Sequence, residues 1–106
     1  MQLLAPETLK QLPAAILPSL IKLFSTTTPE LIIEMQQAAA HNDLATLAEA
    51  AHKLKGSCLS LGAEQMAVLC KELQEKGEAN DSIGIHAQID ELSRLYPATL
   101  SAMQQV

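Results

Sequence analysis

Apolar residues recur along this chain at the three- and four-residue intervals of a helical face, and polar clusters interrupt them. From Leu44, the positions Leu47, Ala48, Ala51, Leu54, Cys58 and Leu61 keep that spacing and predict an amphipathic helix over 44–61. Upstream, Ile16, Leu17, Leu20, Ile21 and Phe24 predict a helix from Pro13 through Phe24, with Pro18 as a first-turn residue or a mild kink. Thr26-Thr27-Thr28, then Pro29 and Glu30, offer a capping hydroxyl, a first-position proline and an acidic first turn, so a helix is expected to start or restart there. Leu31, Met35 and Ala38 carry its stripe, with Ile32 and Ala39 beside it, to a polar turn at His41-Asn42-Asp43.

Past Leu61, Gly62 marks the junction with the next helix. Ala63, Met66, Ala67, Cys70 and Leu73 form its stripe, and Gly77 is expected to end it as a left-handed stop. The polar run from Gly77 to Ser82 predicts a loop, with Asp81 or Ser82 as the cap of a last helix. In that helix Ile85, Ile89, Leu92, Tyr96, Leu100 and Met103 line one face, and Pro97 should kink or split it. A short leading helix at residues 6–11 begins with Pro6 and Glu7, both suited to a first turn.

Composition narrows the fold class. Only 2% of residues are aromatic and Gly numbers four, so helix formers dominate and strand formers are scarce. With 106 residues the chain suffices for one domain, residues 1–106, and short links between successive helices favour antiparallel neighbours. The expected fold is all-α: an up-down antiparallel four-helix bundle with a short extra N-terminal helix or helices.

Charge then removes two classes of partner. Seven basic against twelve acidic residues leave a net charge of -5, and no broad positive surface remains for nucleic acid or anionic lipid. Apolar runs are short and broken, so no membrane contact is expected. The histidines and cysteines lack ligand spacings such as C-x-x-C or H-x-x-x-H, so no metal site is expected. Cys58 and Cys70 fall on apolar stripes, as reduced core thiols do, and Met35, Met66 and Met103 act as core filler.

His52 breaks the pattern. On a helical wheel it falls roughly 120° from the centre of the 44–61 stripe, which turns it outward. Its surface neighbours at three and four residues are Ala48, Glu49, Lys55 and Gly56. Ala48 and Gly56 are expected to leave open space above and below the imidazole. Gly56 does so at about 1 kcal/mol relative to Ala inside a helix, and close approach by another molecule is one reason to accept that. Neutral imidazole is a competent nucleophile near neutral pH without a triad to activate it. If such a ring takes up a phosphoryl group, Lys55 one turn away can offset the added charge, while Glu49 and Lys53 read as solvated residues. His41 and His86 lack such surroundings and read as a turn residue and a solvated helix residue.

The string A-A-H-K-L-K-G-S-C-L-S-L-G-A from Ala50 to Ala63 resembles the signature of histidine phosphotransfer (HPt) domains, A-H-x-L-K-G-S-x-x-x-L-G-A. Cys70 and Leu73, Leu23-Phe24, Thr28-Pro29 and Asn42-Asp43 also resemble family landmarks, so the likeness runs along essentially the whole chain. One position departs: Gln74 stands where the family usually has Glu, and it could still bond the imidazole from a facing helix. The resemblance implies a carrier without catalysis of its own, with His52 as the phosphoryl acceptor and donor. It also implies response-regulator receiver domains as partners, which supply the phospho-aspartate, the Mg²⁺ and the acidic pocket. The carrier needs no cofactor, is expected to be a monomer, and works in the cytoplasm, either free or as the C-terminal domain of a membrane-bound hybrid sensor kinase.

Two other readings remain at this stage. A histidine kinase dimerisation domain also exposes a phosphorylated His, but it typically places an acidic residue directly after it, where this chain has Lys53. A helical adaptor would leave His52 idle and would tolerate His52→Gln.

Overall fold

A computed structural model describes all of residues 1–106. The chain forms five helices: α1 (Pro6–Lys10), α2 (Leu17–Ala40), α3 (Leu44–Leu61), α4 (Glu64–Glu78) and α5 (Ile85–Gln104). Helices α2 to α5 close a ring in which α3 packs on α2 and α4, and α5 packs on α2 and α4. The neighbours are antiparallel. Early α2 lies against late α3 and late α5, as the Phe24–Tyr96 ring pair shows, while late α4 meets early α5 through Gln88 and Glu72. The all-helical bundle with one short extra helix therefore matches the periodicity.

The interior is aliphatic and continuous. Leu47, Leu54, Cys58, Met66, Cys70, Leu73, Ile89, Leu92 and Met103 are fully or almost fully buried, and both cysteines are free. Cys70 beside Cys58, together with burial, pushes the Cys58 thiol up, away from the reactive thiolate. Lying between α2 and α4, helix α3 buries a wide face, and only a strip with Ala45, Glu49, His52, Lys53, Gly56, Leu59 and Ser60 stays exposed.

Three inter-helix turns close in the same way. The amide of Asp43 donates to Ala38, that of Ala63 to Cys58 and that of Asp81 to Lys76, each over 2.8 Å, with Asn42, Gly62 and Asn80 in the left-handed region. Asp43 caps α3: it accepts from the Thr46 amide and the Thr46 hydroxyl, and these two bonds hold its carboxyl below the usual carboxylate range. Gly62 takes a φ of 77°, and its carbonyl accepts from Ala5, which seats the chain leading into α1 over the α3–α4 turn.

Several boundaries differ from the sequence reading. Helix α2 begins at Leu17 rather than Pro13, with Pro18 in its first turn. It then runs unbroken through Pro29 where a start or restart is expected. Phe24, Thr28, Ile32 and Met35 thereby form one buried stripe, in which the triplet of threonines caps nothing. Thr26 and Thr27 instead donate back to the carbonyls of Lys22 and Leu23. Pro29 has no N–H for the Ser25 carbonyl, and the Tyr96 hydroxyl of α5 donates to that oxygen over 3.1 Å. Helix α5 likewise continues through Pro97 without splitting.

The end of α4 and the start of α5 also move. Gly77 lies inside α4 rather than after it, and Asn80, at φ 57°, is the left-handed residue. Gly84, not Asp81 or Ser82, caps α5, while the Asp81 carboxylate accepts from the Ile83 amide within the turn.

Candidate functional site

The middle of α3 carries an exposed His52, and α4 reaches it because two backbones come unusually close. A Cβ on Gly77 would lie 2.7 Å from the Leu44 carbonyl oxygen and 2.9 Å from the Ala48 Cβ, so α4 rests on α3 at a point where only glycine fits. Ala48 is accordingly buried beneath α4. Its small side chain serves this helix contact and also lines the open groove beside the imidazole.

One turn before Gly77, Gln74 faces the histidine. His52 Nδ1 and Gln74 Oε1 are 3.2 Å apart, and Gln74 Nε2 donates to Glu78 Oε2 over 3.2 Å. His52 Nε2 makes no bond within the chain. The ring borders an open groove of about 930 Å³ between α3 and α4, with Glu49, Lys53, Gln74 and Glu78 also on its walls.

The remaining candidates on α3, Gly56 and Lys55, lie outside this groove. Gly56 is exposed, and a Cβ there would meet nothing within 4 Å, so no packing demand of this fold calls for glycine. Half-buried Lys55 does not line the His52 groove. It borders a neighbouring hollow of about 470 Å³ with Leu59, Val68 and Lys71. Lys53, read from sequence as a solvated bystander, lines the groove instead. Glu78 escaped the sequence reading altogether. Its signal was present, since it follows Gln74 by four residues on one helix face.

His41 and His86 are exposed and stand apart from this groove. No group of three His, Cys, Asp or Glu side chains is placed to hold a metal ion. No helix is long and apolar enough to cross a membrane.

A four-helix bundle that holds an imidazole in an open groove, outside its core, fits the class of small histidine phosphocarriers. A family model for the Hpt domain matches residues 19–105, and the chain belongs to that family. It is thus a phosphotransfer module of two-component phosphorelay signalling. Among solved structures, it is similar to histidine-containing phosphotransfer protein B (HptB) from Pseudomonas aeruginosa PAO1, with a TM-score of 0.92 and 24% sequence identity over 97% of this chain and 92% of that one. At that identity the likeness speaks for the fold. A comparison with curated proteins finds no match.

Proposed function

We propose that His52 is the residue that carries the phosphoryl group, taking it from the phospho-aspartate of one receiver domain and yielding it to another. The observation that carries this reading is the imidazole itself: exposed, bonded at Nδ1 to Gln74, and free at Nε2 beside an open groove. In the transfer, the Nε2 lone pair forms the N–P bond as the P–O bond to the aspartate breaks, and the carboxylate leaves with its electron pair. The Nδ1 proton stays in place, so the product is a phosphorylated imidazolium and no base is needed.

In the neighbouring hollow, Lys55, one turn from His52 on α3, and Lys71 on α4 supply positive charge for the incoming phosphoryl group, and exposed Leu59 and Val68 beside them give a receiver an apolar contact. Mg²⁺ and the acidic pocket belong to the receiver. Because the four long helices close around one core, no second copy is needed to complete the bundle, which favours a monomer over a kinase dimerisation domain. The same reading places the module in the cytoplasm.

Incubation with a phosphorylated receiver and Mg²⁺ is expected to label the wild-type chain as an acid-labile phosphoramidate. His52→Gln should abolish the label, and Lys55→Ala should slow uptake less severely. Undiminished labelling of His52→Gln would overturn the assignment and leave the adaptor reading.

A further inference from the structure

A glutamine beside a histidine is chemically ambiguous. Its carbonyl end can accept from a protonated Nδ1, or its amide end can donate to an unprotonated one. The two arrangements look alike in shape and are opposite in consequence. The first leaves Nε2 with a free lone pair, whereas the second puts the proton on Nε2 and blocks it as a nucleophile. Which end faces the ring must be set by whatever else the amide touches.

Here the other contact is Glu78, one turn further along α4. A carboxylate only accepts, so the atom of Gln74 that meets Glu78 Oε2 at 3.2 Å must be the amide nitrogen. The carbonyl oxygen then faces His52 Nδ1 at 3.2 Å, and Nδ1 must carry the proton. We propose that Glu78 is a positioning residue for phosphoryl transfer: through Gln74 it holds His52 in the Nδ1–H tautomer and keeps Nε2 available for the phosphorus.

The role is specific to having glutamine at position 74. A glutamate there would have no donor end and would select the same tautomer unaided. Glu78 supplies the direction that the amide of Gln74 lacks. This inference rests on His52 as the phosphoryl site, but its spectroscopic test does not depend on transfer.

The ¹⁵N spectra of the His52 ring, recorded on the full chain at a pH where the imidazole is neutral, read the tautomer directly. In the wild type, Nδ1 is expected at the frequency of a protonated ring nitrogen and Nε2 at that of an unprotonated one. Glu78→Ala should move both toward the averaged values of a mixed population and slow phosphoryl uptake about three- to tenfold, the worth of one net hydrogen bond. Glu49→Ala removes an equal charge from the same groove without touching Gln74 and should leave the ring frequencies in place. The double variant Gln74→Glu/Glu78→Ala should restore the Nδ1–H pattern.

Unchanged ring frequencies in Glu78→Ala, or a wild-type ring already protonated on Nε2, would overturn the proposal. So would failure of the double variant to restore the pattern. A wild type that shows the Nδ1–H pattern yet takes up no phosphoryl group would instead remove the transfer reading, leaving the hydrogen-bond relay intact.

Discussion

Gly56 is unusual among the four glycines because nothing in the fold asks for it. Gly62 and Gly84 occupy left-handed backbone and Gly77 lies against another helix, but a methyl group at position 56 would point into open space. Its presence in mid-helix therefore lowers stability without a structural return, and on the proposed function the return is room for what must come close to His52. Gly56→Ala is expected to raise stability by about 0.5–1 kcal/mol in urea unfolding. The same change should slow phosphoryl uptake, and Gly56→Leu should slow it further. Uptake at the wild-type rate in both variants would mean that the visiting active site does not need this space. Gly56 could be singled out from sequence because a glycine four residues after an outward histidine conflicts with helix propensity. The Gln74 contact could only be suspected, since it depends on which turn of α4 lies opposite α3.

At the level of single helices, the two prolines show how a local signal is overruled. Thr28-Pro29 has the composition of a helix start, yet α2 passes straight through it. Burial of Phe24, Thr28, Ile32 and Met35 along one face stabilises a continuous helix against the loss of one backbone bond. The carbonyl left over at Ser25 is then satisfied from α5 by Tyr96, a partner 71 residues away that no local window contains. Tyr96→Phe should lower stability by about 0.5–1.5 kcal/mol, because that carbonyl loses its donor. In a Pro29→Ala background the helix supplies its own N–H, and Tyr96→Phe should then have a smaller effect. Additive effects in this double-mutant cycle would show that the hydroxyl does not compensate for the proline.

Across the whole molecule, the position of α4 on α3 decides whether a site exists. Gly77 lets the two backbones meet over Ala48, and this contact brings Gln74 within hydrogen-bond distance of His52. A methyl group there would collide with the Leu44 carbonyl, a backbone atom that cannot rotate aside. Gly77→Ala is therefore expected to destabilise the bundle by roughly 1–3 kcal/mol. It should also weaken the His52–Gln74 bond, seen as a change in the ¹⁵N frequencies of the ring at a temperature where the variant is still folded. A stable variant with an undisturbed ring would show that α4 can settle elsewhere without consequence.

Helix periodicity and the polar turns carried the bundle, its all-α class and the outward face of His52 within the linear chain, because each depends on spacing over one or two turns. Folding settled what depends on partners distant in sequence. Gly77 became a packing residue and not a stop, Ala48 a helix contact as well as a wall of the groove, and Tyr96 the donor for a proline-freed carbonyl. The physical reason is the same throughout. A residue's own helix fixes the direction in which it points, but only the neighbouring helices determine what it meets there, and Gln74 and Glu78 acquire a role at His52 only once α4 rests on α3.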